Sequence, residues 1–339
     1  MTLEAVLDAW IWPPGATVVD AGSGLINQTH GVAVRGRLMG VLQRLNTAIF
    51  RAEVHHDIEA VTRHLAARGE PTTRLVPTKT GGLWHTDPEG GVWRVLLPVG
   101  DRTIDKIADP ADAREAGALV ARFHAATADL EHEFHFTRPG AHDTDAHITG
   151  LRTALMLHRG HRLYSEVARL ADPLLDAWDA WSGPTDLPVR IIHGDLKISN
   201  VRFTGPAATA LIDLDTLAHG TIDVELGDAM RSWCNPASEN VTRAELDLDL
   251  FRAAMEGYRS SASLTPEEWA AIGPGLERIC IELAARFARD ALEESYFGFD
   301  PAYGGRGEHN LLRARGQASL AASVRERRGA IEAITTGRR

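Results

Sequence analysis

The stretch Val189-Arg190-Ile191-Ile192-His193-Gly194-Asp195-Leu196-Lys197-Ile198-Ser199-Asn200, followed by Ala210-Leu211-Ile212-Asp213-Leu214-Asp215, decides the reading of this chain. An apolar run ends in a tight loop that carries an Asp. A Lys follows two residues later and an Asn five residues later, and a second apolar strand then ends in an Asp. Phosphoryl transfer needs these parts: a carboxylate to orient the attacking hydroxyl and accept its proton, oxygen ligands for Mg²⁺ on the phosphates, and a cation to offset charge on the moving group. Asp195 fits the first role and Lys197 the last. Asn200 and Asp213 offer the hard oxygens that Mg²⁺ prefers. Asp215 would add a metal ligand directly or through water, or else face away as an alternating strand residue. His193 reads as structural, and Asp228, expected with Arg231 at the start of a helix, as a buried carboxylate bracing the loop.

Composition is compatible with such an enzyme. At 339 residues the chain exceeds one ordinary domain, and 44% hydrophobic content suits a globular protein. No apolar run approaches the ~20 residues that span a bilayer, so no membrane partner is expected. The formal net charge of -10 argues against broad nucleic-acid binding. The first residues lack a basic segment followed by an apolar one, so no secretory signal is expected. Cys234 and Cys280 make neither a disulfide framework nor a zinc site, which fits a reducing cytoplasm. Lys79, Lys106 and Lys197 are the only lysines, against abundant arginine. One of the three lies in the decisive loop, where a compact cation is hard to replace by Arg.

The chain divides at about residue 98. Before it come a short amphipathic helix over 3–12 and strands over 17–21, 31–34 and 38–44. A helix over 53–68 presents Val54, Ile58, Val61 and Leu65 on one face, and further strands cover 75–77, 82–85 and 92–97. The tip Gly22-Ser23-Gly24-Leu25-Ile26-Asn27 has glycines able to lay backbone N–H groups over phosphates, but no Gly-Lys-Ser/Thr closes it as a Walker loop. Pro98-Val99-Gly100 is the hinge. Beyond it, helices are expected over 110–129, 143–157, 162–182, 242–260, 265–296 and 308–335. The predicted fold is α+β and protein-kinase-like: residues 1–98 form a β-rich nucleotide-binding lobe, and residues 99–339 a helical catalytic and substrate-binding lobe. Glu131-His132-Glu133-Phe134-His135, with His142 and His147, lacks His-Glu-x-x-His spacing and reads as a polar loop rather than a metal site. Trp10, Trp12, Trp178, Trp181 and Trp233 read as packing residues. Trp93 either packs in the core or lines an adenine pocket.

The block His193–Asn200 with Asp213 resembles the aminoglycoside phosphotransferase superfamily. A narrower resemblance, to the N-acetylhexosamine 1-kinase family, runs through Gly24 to Thr29, Val41 to Phe50, Ile58 to Leu65, Ile212 to Thr216, Gly227 to Arg231, Arg286 to Asp290, Tyr296-Phe297 and His309 to Arg315, in that order. The resemblance implies ATP and Mg²⁺ as cofactors and the anomeric hydroxyl of a free sugar as acceptor. The nucleotide-binding set is then Ser23, Gly24, Gln43, Glu59 and Leu97. The third strand carries Gln43 where protein kinases place a Lys, which leaves the cation at the α/β-phosphates unassigned. Candidate sugar ligands are Asn27, Asp195, Arg231, Arg286, Asp290, His309, Asn310 and Arg313. The acidic residues also suit an amine-bearing acceptor, and a non-catalytic ATP-binding regulator is a third reading. Monomer and homodimer are both compatible with the sequence.

Overall fold

A computed structural model describes residues 2–20, 27–138, 140–237 and 239–337. In chain order the elements are α1 (Leu3–Leu7), β1 (Ala16–Asp20), β2 (Gln28–Val34), β3 (Arg37–Arg44), α2 (Val54–Ala67), β4 (His85–Thr86), β5 (Val92–Leu96), β6 (Arg102–Thr103) and α3 (Pro110–Thr127). Then follow α4 (Thr144–Leu157), α5 (Tyr164–Asp179), β7 (Val189–Ile192), β8 (Val201–Thr204), β9 (Ala207–Leu211), β10 (Ala218–Thr221) and α6 (Ile222–Trp233). The chain closes with α7 (Leu248–Arg259), α8 (Pro266–Glu293), α9 (Arg306–Glu326) and α10 (Arg328–Thr336). The fold is α+β, with its main sheet early and most of its helices late. No helix among the described residues is long and apolar enough to cross a membrane.

Two compact units emerge. The first gathers residues 1–103, 122–137 and 200–219, and the second 104–121, 138–199 and 220–339. The first unit is therefore assembled from three separate stretches, two of them beyond residue 98. Its sheet is antiparallel in the order β1-β2-β3-β5-β4. Alternation along β2, β3 and β5 sends Val32, Leu42, Trp93 and Val95 to one face, where Val6, Leu7 and Trp10 cover them. Trp10 also donates its indole N–H to the Val76 carbonyl at 2.8 Å. That tuck ends α1 at Leu7 instead of near residue 12. Trp93 belongs to this core and donates to Asp87 at 2.8 Å. The stretches over 75–77 and 82–85 contribute only the isolated bridge Leu75–Leu96 and the two residues of β4.

The second unit is built around α8, which α4, α5, α6, α9 and α10 contact. A capping box of Thr265 and Glu268, with Pro266 opening the helix, sets its start. The helix expected over 242–260 starts at Leu248 because Asp247 caps it, accepting from Asp249 and Leu250 N–H. The one expected over 308–335 is two helices separated at Arg327, whose φ of -97° and ψ of 9° depart from helical values. α6 starts at Ile222, so Asp228 lies inside the helix rather than at its beginning. Glycines let α6 and α8 approach closely: a Cβ on Gly275 would sit 2.3 Å from the Asp223 carbonyl oxygen. Gly275→Ala forces those backbones apart. A loss of about 1–3 kcal/mol, read as a lowered melting temperature by circular dichroism, is the expected outcome; an unchanged midpoint would contradict the close approach.

Candidate active site

The loop after β7 is held by its backbone. Glu225 of α6, buried, accepts the N–H of His193 at 2.8 Å on one oxygen and of Gly194 at 3.0 Å on the other. Gly194 turns the chain with φ +78°. Buried His193 accepts the Asp195 N–H on Nδ1 at 3.3 Å, which makes it a structural residue. Trp233 donates to the Leu196 carbonyl at 2.7 Å. Thus Glu225, not Asp228, braces the loop. The brace leaves Asp195 partly exposed, with its Oδ2 accepting a hydrogen bond from Lys197 Nζ at 2.7 Å.

Around this pair the second unit carries alternating charge. Asp228 pairs with Arg231 at 2.8 Å, and Glu239 lies 3.9 Å from the same guanidinium. Burial raises the pKa of Asp228, but Arg231, His142 and Lys197 bring it below the ordinary carboxylate range. Glu282 accepts from Thr144 at 2.8 Å and meets His142 at 3.2 Å and Arg286 at 3.7 Å. Arg231 and Arg286 therefore stay in an array of ionised groups able to bind a polar acceptor.

The C-terminal candidates are otherwise engaged. Asp290 accepts the backbone N–H groups of Ser295, Tyr296 and Phe297 and the side-chain amide of Asn310. Both residues are buried, and together they fix the turn after α8. His309 accepts the Asp300 N–H at 2.9 Å, bonds Asn240 at 2.8 Å and stacks on Tyr303. Arg313 bonds Asn240 and the Gly298 carbonyl and lies over Phe287. In the structure Asp290, His309, Asn310 and Arg313 thus bond to one another's surroundings around the end of α8.

In the first unit the decisive group is one the sequence reading missed. Arg94 of β5 stands opposite Gln43 of β3 and is fully buried. Its guanidinium grips Asp215 bidentately, with Nη2 2.7 Å from Oδ2 and Nη1 bonded to Oδ1. Nε donates to Gln43 at 2.9 Å, and Gln43 in turn donates to Thr29 at 3.1 Å. Asn27 donates to Asp215 at 2.7 Å and accepts the Asn46 N–H at 2.9 Å. Both oxygens of Asp215, a candidate metal ligand from the sequence, are thus hydrogen-bonded to Arg94, and one also to Asn27. Asn27 and Gln43 hold the charge pair through their side-chain amides. An Arg inside the apolar run Val92 to Leu97 was the available signal.

Glu59, expected in the nucleotide-binding set, faces Arg74 at 3.9 Å. Leu97 is half exposed, but its N–H donates to the Arg74 carbonyl and its carbonyl accepts from Thr73. Ser23 and Gly24 lie outside the described residues.

The oxygen donors sit at one end of the β8–β9 hairpin. Asn200 is buried, and its carbonyl accepts the Ile212 N–H at 3.0 Å. Asp213 adopts a left-handed backbone, φ 64° and ψ 51°, uncommon for a residue with a side chain and a mark of a constrained site. Its negative charge helps keep Arg94 protonated against burial. An amide oxygen and a carboxylate are the donor chemistry that Mg²⁺ accepts.

A model of the phosphotransferase enzyme family matches residues 37–262. The chain belongs to that family. The match includes both Asp195 and Asp213 and ends before α8. Among curated proteins, homoserine kinase of Rhizobium etli is 28% identical over 64% of this chain and 63% of its own length. The chain thus spans less than two thirds of that relative. Among solved structures, an aminoglycoside phosphotransferase from Alicyclobacillus acidocaldarius superposes with a TM-score of 0.65 at 17% identity, covering 98% of this chain and 97% of its own. Amicoumacin kinase in complex with AMP-PNP, Ca²⁺ and Ami gives 0.64 at 15% identity, covering 94% and 92%. These likenesses establish the kinase-like fold.

His55 of α2 lies against the Arg94 cluster. It is fully buried, stacks on Trp84 at 5.3 Å, and its Nε2 has no hydrogen-bond partner among the described residues. Burial first, and then the charge of Arg94, push its pKa down to about 4. The unfolded chain titrates near 6.5, so between these values the unfolded state binds more protons. The stability that neutral His55 contributes is present above pH 6.5 and is lost as pH falls toward 4, about 3 kcal/mol in all. His309, also lowered, acts with the same sign. Melting temperature should therefore drop across this window, and His55→Phe should flatten the drop. An identical slope in the variant would remove His55 from this account.

Proposed function

We propose that this chain is an ATP-dependent kinase of a small hydroxylated metabolite and that the acceptor is the anomeric hydroxyl of a hexose or N-acetylhexosamine. The kinase reading is carried by Asp195, a carboxylate held on a loop that Glu225 fixes through two backbone N–H groups. Asp195 orients the acceptor hydroxyl and takes its proton. Lys197, 2.7 Å away, offsets charge on the transferred phosphoryl group. Asn200 and Asp213 would hold Mg²⁺, which would supply positive charge to offset that of the phosphates. Arg94 provides buried positive charge next to the strand position where kinases place a Lys, and it acts as a positioning residue through Asp215. Arg231 and Arg286, with Asp228 and Glu282, bind the acceptor's hydroxyls.

The sugar assignment is supported by the ordered resemblance in both halves of the chain. An amine-bearing alcohol is the second reading. It is favoured by the likeness to homoserine kinase and by the carboxylates Asp228, Glu239 and Glu282, which suit an ammonium group.

Asp195→Asn is expected to lower kcat by about 10²–10⁴ while nucleotide binding persists; retention of a tenth of wild-type turnover would exclude it as the base. Asp213→Ala should weaken Mg²⁺-dependent nucleotide binding more than Asn200→Ala, because it removes charge as well as a donor. Full activity in excess chelator would contradict the metal role. ADP release over free sugars, 1-O-methyl glycosides, homoserine and amino alcohols separates the acceptors. Phosphorus coupling to the anomeric proton of the product supports the sugar assignment, and turnover confined to amine-bearing alcohols replaces it.

A further inference from the structure

The polar segment after α3 converges with α2 in a way that its own spacing does not reveal. Asp57 of α2 is buried, and its Oδ1 receives His132 Nε2 at 2.8 Å and His135 Nδ1 at 2.9 Å. The backbone N–H of His135 reaches the same oxygen at 2.9 Å. Oδ2 accepts the Phe136 N–H at 3.1 Å. The two imidazole nitrogens and the carboxylate oxygen all lie within 4.8 Å of one another. Three donors therefore crowd one oxygen, and two of them are neutral-capable imidazoles, which are metal ligands as readily as hydrogen-bond donors.

We propose that Asp57, His132 and His135 form a zinc-type metal site. One divalent ion takes the place of the two imidazole protons, which move to the opposite ring nitrogens or leave to solvent, and relieves the crowding on Oδ1. Separations of 2.8 and 2.9 Å approach the ~3.3 Å edge of a tetrahedron with metal–ligand bonds of about 2.0 Å. Two nitrogens and one oxygen select a borderline ion such as Zn²⁺, whereas Mg²⁺ and Ca²⁺ take all-oxygen sets. A water completes the fourth position.

The supporting contacts are those that orient metal ligands elsewhere. Phe136 N–H fixes the second carboxylate oxygen, and His219 Nε2 bonds the His132 carbonyl at 2.9 Å. Phe134 meets both the His132 and His219 rings edge-on. The ion would clamp the segment 132–136 onto α2, the helix that also carries His55. Its donors are separate from Asn200 and Asp213, and the inference stands apart from any choice of kinase substrate.

The test uses the full-length protein, stripped with chelator and then loaded with Zn²⁺ or Co²⁺. About one Zn²⁺ per chain should remain through gel filtration, Co²⁺ should give the visible absorption of a tetrahedral site, and Zn²⁺ should raise the melting temperature. His135→Ala, whose side chain is half exposed and so tolerates truncation, should bind at least about tenfold more weakly and lose the thermal shift. Asp57→Asn keeps an oxygen at the site but removes its charge and should also weaken binding. The chain has 15 histidines, so uptake alone decides nothing. Equal uptake and equal thermal response in wild type and His135→Ala would overturn the site, as would the absence of a tetrahedral Co²⁺ spectrum.

Discussion

The first unit depends on one buried ion pair. Arg94 and Asp215 are each 1% exposed and 121 residues apart in sequence. Taking both charges out of water costs several kcal/mol per ion, and only close, fully hydrogen-bonded geometry offsets it. The geometry is nearly complete here. Burial raises the pKa of Asp215, yet Arg94's charge and hydrogen bonds, with Asn27's amide, bring it below the usual carboxylate range. The pair joins the short turn after β9 to the β3–β5 ladder. It thereby sets the place of Asp213, two residues earlier, whose left-handed backbone no regular strand would supply. An Arg94 displaced from Asp215 would leave a buried charge without its hydrogen-bonded partner, which penalises a shifted register.

The second unit is governed by a related constraint with a different partner. Besides the contact made by its own His193, the reactive loop is clamped from a distant helix. Two consecutive backbone N–H groups point at Glu225, 31 and 32 residues on, in the turn that Gly194 permits. A buried carboxylate saturated by backbone donors is rigid, and rigidity is what a positioned base requires. The indole of Trp233 on the Leu196 carbonyl fixes the other side of the same loop.

The parts of the molecule legible in the sequence are those whose physics is local. α2 followed its apolar period to within a residue at each end, and the phosphotransferase loop was recognisable from the spacing of Asp195, Lys197, Asn200 and Asp213. The helix starts at Leu248 and Ile222 and the break at Arg327 depended on caps and dihedrals that hydropathy does not encode. Arg94, Glu225 and His55 escaped notice because each owes its role to a residue far along the chain. The polar string from His309 to Arg313 has internal partners that its sequence did not announce. Its residue types suited a sugar, but in the folded chain they satisfy Asn240, Asp290 and the carbonyl of Gly298. Polar residue type is shared by ligand binding and by internal bracing, and only three-dimensional partners separate the two.

The discontinuity of the first unit bears on the order in which the protein is made. Its strands through β5 leave the ribosome more than a hundred residues before Asp215 and the β8–β9 hairpin. During that interval Arg94 has no carboxylate to enter the core with, and a sheet closed over an unpaired guanidinium is unfavourable. α3, α4 and α5 are all synthesised before that partner exists, so the amino-terminal half reaches its final hydrogen bonding only with a segment from the carboxyl-terminal half.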